Sequence, residues 1–285
     1  MFARTPDLPL LRTTRMKAVI LARGLGTRMM RPDAGVTLSA EQAAAADEGA
    51  KAMMPIGTGR PFLHYVLSGL ADAGVHEICM VVAPDATNFQ RHFLRELTLQ
   101  RLRIQFAIQN EARGTADAVL AAERFAGSDR FLVLNADNYY PIEAYRSLAQ
   151  YDGSALPGFD REALVRQGNI DPERIRKYAL LRVSGDGFLE EIVEKPDDAT
   201  FAAMDEHALV SMNLWGFTPK IFEACRQVKP SARGELELPD AVRILMRDLG
   251  ERVRVFPFVA PVLDLGTRAD VASVESALRN VRPIL

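Results

Sequence analysis

Short apolar runs alternate with amphipathic stretches through the first half of the chain. The apolar runs, many of them rich in β-branched residues, predict buried strands at 18–21, 77–83, 103–109 and 130–137. Apolar positions at helical spacing predict helices between them, at 61–72, 88–97 and 115–125. Strands that alternate with amphipathic helices are typical of a parallel sheet with both faces covered. Ligands of such a sheet bind beyond the carboxyl ends of the strands.

The pattern changes after about residue 140. Further strands are predicted at 178–183, 188–195, 209–217 and 252–258, and helices at 219–225 and 238–249. The turn-prone SGDG at 184–187 joins the first two of these strands. We therefore expect an α/β fold of three α/β/α layers around a mixed, mostly parallel central sheet.

No linker-like segment separates the two halves of the chain. We expect a single domain over 16–285, with one lobe at about 16–140 and a second at about 141–285. Regular patterning begins only near Met16, so residues 1–15 are expected to form a disordered leader.

An alanine-rich insert, SAEQAAAADEG at 39–49, follows the first predicted strand and its turn. Ser39 stands three residues before Gln42, as in a capping box, and Gly49 is suited to the end of a helix. The region 33–50 is therefore predicted to carry a short inserted helix. A mobile lid is the alternative.

The composition excludes several classes of protein. The 285 residues are 48% apolar and carry a formal net charge of -2, without the basic surplus of a general nucleic-acid binder. Cys79 and Cys225 lie in apolar segments and are expected to be reduced, buried thiols. No apolar run is long enough for a signal peptide or a membrane span, so we expect a cytoplasmic protein with no membrane partner.

The segment AVILARGLGTRM at 18–29 runs from a predicted strand into a glycine-rich turn. A dinucleotide-binding fingerprint requires a third glycine where this chain has Met29, and the Gly-Lys-Ser/Thr of a P-loop is missing too. The backbone N–H groups of the turn could instead wrap a polyphosphate, which Arg28 would neutralise. A plain tight turn without a ligand is the alternative.

Two segments place polar residues where predicted strands end and helices begin. GTADAV at 114–119 offers backbone donors at a helix start, although Thr115 could be an ordinary helix cap. VLNADNYY at 133–140 presents Asp137, whose carboxylate suits a hard divalent cation. Capping of the following helix is the alternative role of Asp137.

Two later segments end in charged residues. EIVEKPDD presents Glu194 and Lys195 at the end of a predicted strand, which taken alone could be a solvated surface pair. VLDLGTRAD is a second apolar run that ends in an aspartate, Asp264, followed shortly by Gly-Thr.

In this order and spacing, the five segments resemble those of the sugar-1-phosphate nucleotidylyltransferases, from roughly Lys17 to Asp270. Members of that family make a nucleoside-diphosphate sugar and pyrophosphate from a nucleoside triphosphate and a sugar 1-phosphate. The resemblance implies a Rossmann-like nucleotidyltransferase fold, those two substrates, Mg²⁺ or another divalent cation as cofactor, and a homo-oligomer. Glucose 1-phosphate is the first expectation for the sugar.

The resemblance also implies roles for individual residues. The catalytic residues would be Arg28, Lys51, Asp137 and Lys195. The nucleotide would be held by Leu21, Ala22, Gly24, Gly26, Thr27, Gln109, Gly114 and Thr115. The sugar phosphate would be held by Tyr178, Ala179, Glu194, Lys195 and Asn213, and the metal by Asp137 and Asp264.

The chain departs from the family pattern at several positions. Arg23 stands where the family more often has glycine or alanine, and the insert lengthens the spacing from Arg28 to Lys51. Val262 replaces an aromatic residue, and Ala179 replaces a glycine expected beside the sugar. These differences bear on the identity of the sugar more than on the reaction.

Three alternatives differ from this expectation. The acceptor could be a cyclitol or other non-sugar phosphate. A regulatory subunit that binds nucleotide sugars without catalysis would be expected to have lost an aspartate or a lysine, yet Lys51, Asp137, Lys195 and Asp264 are all present. A nicotinamide-dependent oxidoreductase is disfavoured by Met29.

Overall fold

The computed structural model describes residues 16–24, 26–204 and 207–285. The leader expected at 1–15 lies outside the described residues. The strands are β1 (Lys17–Leu21), β2 (Pro55–Ile56), β3 (Arg60–Pro61), β4 (Glu77–Val82), β5 (Arg103–Ile108), β6 (Phe131–Asn135), β7 (Asn138–Tyr139), β8 (Ser154–Phe159), β9 (Ala179–Val183), β10 (Leu189–Val193), β11 (Val210–Ser211), β12 (Trp215–Phe217), β13 (Val253–Phe258) and β14 (Leu263–Asp264).

The α-helices are α1 (Thr27–Met30), α2 (Ala40–Asp47), α3 (Phe62–Asp72), α4 (Thr87–Arg91), α5 (Thr115–Ala121), α6 (Glu123–Ala126), α7 (Ile142–Gln150), α8 (Arg161–Arg166), α9 (Asp198–Ala203), α10 (Lys220–Gln227), α11 (Leu238–Arg247) and α12 (Asp270–Leu278). Two 3-10 turns occupy Lys51–Met53 and Pro172–Lys177, and a π-helical turn occupies His92–Glu96. No helix in the described part of the chain combines the length and apolar character needed to cross a membrane.

One mixed sheet runs through the protein in the order β10-β9-β11-β8-β12-β6-β1-β4-β5, with β13 paired to β8. β6, β1, β4 and β5 run parallel to one another, so their carboxyl ends meet at one edge. β9, β10, β11 and β12 pair antiparallel in the other half. The pairs β14-β7 and β2-β3 lie outside this sheet.

Helices cover both faces of the sheet. Alternate residues of β1 point into different cores: Ala18 and Ile20 belong to a core that contains Phe62 of α3, and Val19 belongs to one that contains Phe222 of α10. This alternation follows from the two-residue period of a strand. The expected three-layer fold around a mixed sheet is confirmed, and the two cysteines are free and buried as expected.

Three predicted elements are interrupted in the structure. The helix predicted at 88–97 is α4 followed by the π-helical turn, and the helix predicted at 115–125 breaks at Ala122 between α5 and α6. The strand predicted at 209–217 is two strands, β11 and β12, because the chain changes partners: β11 pairs with β9, and β12 pairs with β6. Asn213, the middle one of the three residues between them, has a φ of 58°.

The alanine-rich insert forms a helix, α2, as predicted. The Ser39 hydroxyl accepts from the Gln42 backbone N–H at 3.2 Å, and the Gln42 side chain accepts from the Ser39 N–H at 3.1 Å. Ala46 is buried, and Arg268 forms an ion pair with Asp47 at the end of the helix. α2 is therefore packed on the domain by its apolar face and its terminal charge.

Candidate active site

The glycine-rich turn leaves the carboxyl end of β1 and enters α1. Gly26 has a φ of 61°. A Cβ atom added there would lie 2.1 Å from the carbonyl oxygen of Gly49, which follows α2. Only glycine allows this approach. The contact places the end of the insert against the turn, so that Lys51 follows beside it.

A pocket of about 460 Å³ lies at the carboxyl ends of the parallel strands. It takes residues from the turn after β1, from the end of β4, and from the segments after β5 and β6. The predicted site residues that line this pocket are Leu21, Ala22, Gly24, Gly26, Thr27, Lys51, Gln109, Gly114, Thr115 and Asp137.

Lys51 and Asp137 form an ion pair in this pocket. The Lys51 ammonium lies 3.0 Å from Oδ2 of Asp137, and the two side chains are 14% and 25% exposed. Asp137 does not cap a helix, because α7 begins at Ile142 with Pro141 at its N-cap. The pair holds one cation and one anion where a phosphate and a metal ion could each find a partner.

The start of α5 is held by a segment from far along the chain. Gly114 has a φ of 116°, and a Cβ atom there would lie 2.4 Å from the carbonyl oxygen of Leu236. The Thr115 hydroxyl accepts from the backbone N–H of Leu238 at 2.8 Å. Thr115 is therefore not an ordinary N-cap: it lies inside α5 and ties that helix to α11.

Asp264 is buried in a network of donors. In the β14-β7 pair it stands opposite Asn138, whose side-chain amide donates to Oδ1 at 3.1 Å. The Tyr178 hydroxyl donates to Oδ2 at 2.8 Å, and the guanidinium of Arg174 donates to the same oxygen. Arg174 also contacts the carboxylate of Asp270 at 2.6 Å. One arginine thus links two buried carboxylates.

The electrostatics of this network follow from burial and from neighbouring charge. Burial raises the pKa of Asp264, and the negative charge of Asp137 raises it further. The two predicted metal-binding carboxylates therefore lie close enough to repel each other. Burial and the charge of Asp264 also raise the pKa of Tyr178, so its hydroxyl stays protonated and donates.

The residues predicted to hold the sugar phosphate meet at one edge of the antiparallel half of the sheet. Tyr178 precedes β9, and Glu194 follows β10, its antiparallel neighbour, in which Val193 stands opposite Leu180. Lys195 comes next, with an exposed side chain and a φ of 41°.

The remaining two of these residues lie beside the same edge. Ala179 stands opposite Ser211 of β11, so the end of β11 lies at the same edge. Asn213 follows Ser211 by two residues and has an exposed side chain.

Glu194 lies among charged groups that join this edge to the pocket at the carboxyl ends of the parallel strands. Burial raises the pKa of Glu194, the charge of Glu237 raises it further, and the nearby cations Arg243 and Lys195 oppose the rise. Glu237 belongs to the segment that packs on Gly114 through Leu236. Lys195 is therefore within electrostatic reach of the segment that borders the pocket.

The structure differs from the sequence-based expectation at two points. Arg28 lies on α1 with an exposed side chain, outside the set of residues that line the pocket. Arg174 and Asn169 were not predicted. The side-chain amide of Asn169 accepts from the backbone N–H of Asp264 at 2.8 Å and donates to the backbone carbonyl of Asp264 at 2.9 Å. These contacts join positions about a hundred residues apart, and no local pattern signals them.

Comparison with known proteins identifies the family of the chain. The sequence profile described as "Nucleotidyl transferase" matches residues 17–280. A glucose-1-phosphate thymidylyltransferase of Neisseria gonorrhoeae is 27% identical, with 94% of this chain and 84% of that protein covered. The UTP–glucose-1-phosphate uridylyltransferase AglF of Haloferax volcanii is 27% identical, with 93% and 97% covered.

Solved structures share the fold. A UDP-glucose pyrophosphorylase complexed with UDP-glucose superposes with a TM-score of 0.70 at 19% identity, over 94% of this chain and 99% of that chain. A UTP-bound UGPase from Acinetobacter baumannii gives a TM-score of 0.70 at 17% identity, over 94% and 95%. The chain belongs to the nucleotidyl transferase family, and the class of enzyme expected from its sequence motifs is confirmed.

Proposed function

We propose that this protein transfers a nucleotidyl group from a nucleoside triphosphate to a sugar 1-phosphate, giving a nucleoside-diphosphate sugar and pyrophosphate. One observation carries the proposal: a single pocket joins the glycine-rich turn, the Lys51–Asp137 pair and the Gln109–Gly114 segment. The names of the two relatives support the same class of reaction.

The reaction is an in-line displacement. An oxygen of the sugar phosphate attacks the α-phosphorus, the bond from that phosphorus to the bridging oxygen breaks, and pyrophosphate leaves with the electron pair. The attacking oxygen is already anionic at neutral pH, so no general base is needed. The barrier is the repulsion between two anions that must approach to about 3–3.5 Å.

Cationic side chains of this chain would reduce that repulsion. Lys51, at the pocket wall, would contact the triphosphate, and Arg28, on the exposed face of α1, would approach it from outside. Lys195, beyond β10, would contact the phosphate of the sugar. A lysine suits contact with a single oxygen because its ammonium is a compact charge.

Asp137 and Asp264 are the residues that would hold a divalent cation. They fit one: both are carboxylates, and their mutual repulsion would be relieved by a positive ion between them. Oδ1 of Asp264 accepts one hydrogen bond, from Asn138, and so keeps a lone pair for a ligand. When bound, Mg²⁺ would neutralise charge that develops at the α-phosphorus. Among the described residues no three His, Cys, Asp or Glu side chains gather at one point.

The first substrates to test are glucose 1-phosphate with UTP or dTTP, because the relatives named above act on glucose 1-phosphate. A cyclitol phosphate should stand in the same panel. Release of pyrophosphate with one acceptor identifies the substrate. No release with any acceptor, from folded protein that still binds nucleotide, would instead support the regulatory-subunit alternative.

Lys195→Ala tests the mechanism. Loss of this cation should lower kcat by roughly 10²–10³, with the circular dichroism spectrum unchanged. Lys220→Ala, an exposed lysine at the start of α10, is the matched control and should keep full activity. Equal turnover by the two variants would contradict the assigned role of Lys195.

A further inference from the structure

Arg23 occupies a position in the glycine-rich turn that the mechanism above does not use. Its Nε donates to the backbone carbonyl of Gln109 at 2.8 Å, and its Nη2 donates to the carbonyl of Asn110 at 3.2 Å. Arg23 and Gln109 both line the nucleotide pocket. The side chain therefore joins two walls of the pocket that are far apart in the sequence.

These two bonds span the end of a strand. Arg23 follows β1, whereas its acceptors follow β5, and β4 lies between these strands in the sheet. The side chain therefore crosses the carboxyl end of β4 to reach the segment after β5. The glycine or alanine expected at this position could not make that bridge.

Both bonds use donors in the plane of the guanidinium, so that plane is fixed. An arginine has five N–H donors, and at least three remain after these two bonds. A planar cation held at its edge presents its face, and such a face stacks on planar π-systems.

Gln109, the residue that Arg23 holds, is fixed as well. It is 5% exposed, and its Nε2 donates to the carbonyl of Gly114 and to Oδ2 of Asp117, both at 2.9 Å. With both amide hydrogens used, its Oε1 is the acceptor that the side chain offers a ligand. The fixed amide of Gln109 suits a hydrogen bond to the edge of a nucleobase. The fixed guanidinium of Arg23 beside it suits stacking on the face of the same base.

We propose that Arg23 is a nucleotide-binding residue that contacts the base of the bound nucleotide: the face of its guanidinium lies against the base, and its edge is anchored on the carbonyls of Gln109 and Asn110. This inference rests on the proposed function. Arg23 then contributes to the affinity for the nucleoside part of the ligand and does not contribute to the affinity for the triphosphate.

The test compares three ligands by isothermal titration calorimetry at one Mg²⁺ concentration: UTP, ATP and inorganic tripolyphosphate. Arg23→Ala should weaken binding of the better nucleotide by about tenfold and leave tripolyphosphate binding unchanged. Arg23→Lys keeps the charge but loses the planar fork, so it should behave like the alanine variant. Arg103→Ala, an exposed arginine at the opposite end of β5, is the matched control.

Steady-state kinetics give a second readout. Loss of a contact that is equal in the ground state and the transition state raises KM for the nucleotide and leaves kcat unchanged. A variant with a normal Kd for both nucleotides would overturn the role of Arg23, as would an equal loss for tripolyphosphate or full rescue by lysine. Wild-type protein that binds none of the three ligands would overturn the proposed function, and the inference with it.

Discussion

Replacing His64 by glutamine should make the protein less sensitive to acid. His64 lies on α3 and is 1% exposed. Its Nε2 lies 3.0 Å from Nε2 of His92, whose Nδ1 lies 3.2 Å from the carboxylate of Glu96. If His92 donates from Nδ1 to Glu96, its Nε2 accepts and the proton between the rings belongs to His64.

A second proton on His64 would have no favourable place. Its other ring nitrogen, Nδ1, is buried and has no hydrogen-bond partner among the described residues. Burial, and then the charges of His92 and Arg60, lower the pKa of His64 to about 4 from the ordinary value of 6.5. Between these pH values the unfolded chain binds one more proton than the folded chain. Acidification therefore favours unfolding, and stability is regained as the pH rises past 6.5.

The magnitude follows from the two pKa values. A pKa difference of one corresponds to about 1.4 kcal/mol, so this histidine should lower the free energy of unfolding by roughly 2 kcal/mol between pH 7 and pH 5. Glutamine at position 64 keeps a donor for His92 but does not titrate. Urea unfolding of wild type and His64→Gln at several pH values measures the difference in slope.

The control is His76→Gln, which removes an exposed histidine and should keep the wild-type slope. Parallel pH profiles for wild type and His64→Gln would refute the reasoning, since the buried ring would then not be the group that binds the extra proton on unfolding.

Three further predictions concern the site. Gly114→Ala should abolish nucleotide binding in calorimetry, because the new methyl group would meet the Leu236 carbonyl at 2.4 Å; wild-type affinity would contradict this. Arg174→Met should lower the free energy of unfolding in urea by about 3 kcal/mol, since it leaves the buried Asp264 without its cation, and an unchanged midpoint would contradict that. Lys51→Met should lower kcat for pyrophosphate release by roughly 10²-fold, with an unchanged circular dichroism spectrum. Wild-type turnover in that variant would remove Lys51 from the mechanism.

The parallel half of the fold could be predicted because its signals are local. β1, β4 and β6 are buried apolar runs, and α3 has its apolar residues at helical spacing. β8 could not be predicted in the same way. Its sequence, SALPGF, contains Pro157 and Gly158, which normally indicate a turn, yet all six residues are buried. Pairing with strands on both sides decides the conformation here, against the local preference.

The same distinction between local signals and long-range contacts applies to the residues of the candidate site. The glycine-rich turn and Asp137 could be predicted because each follows directly from an apolar strand. Arg174 and Asn169 could not, because their part in the site depends on the return of the chain at Asp264. Long-range pairing of buried polar groups leaves no periodic signal in the sequence.

The two carboxylates assigned to the metal differ in how they are compensated, and this difference suggests how the site responds to substrate. Asp137 is paired with Lys51, whose ammonium lies on a flexible stem and can exchange a carboxylate for a phosphate oxygen. Asp264 is paired with Arg174, whose planar guanidinium is also held by Asp270. Moving Arg174 would leave two buried anions without a cation, whereas moving Lys51 would free one partly exposed carboxylate for a divalent ion. Arrival of a triphosphate should therefore displace Lys51 toward the phosphates and leave Arg174 in place.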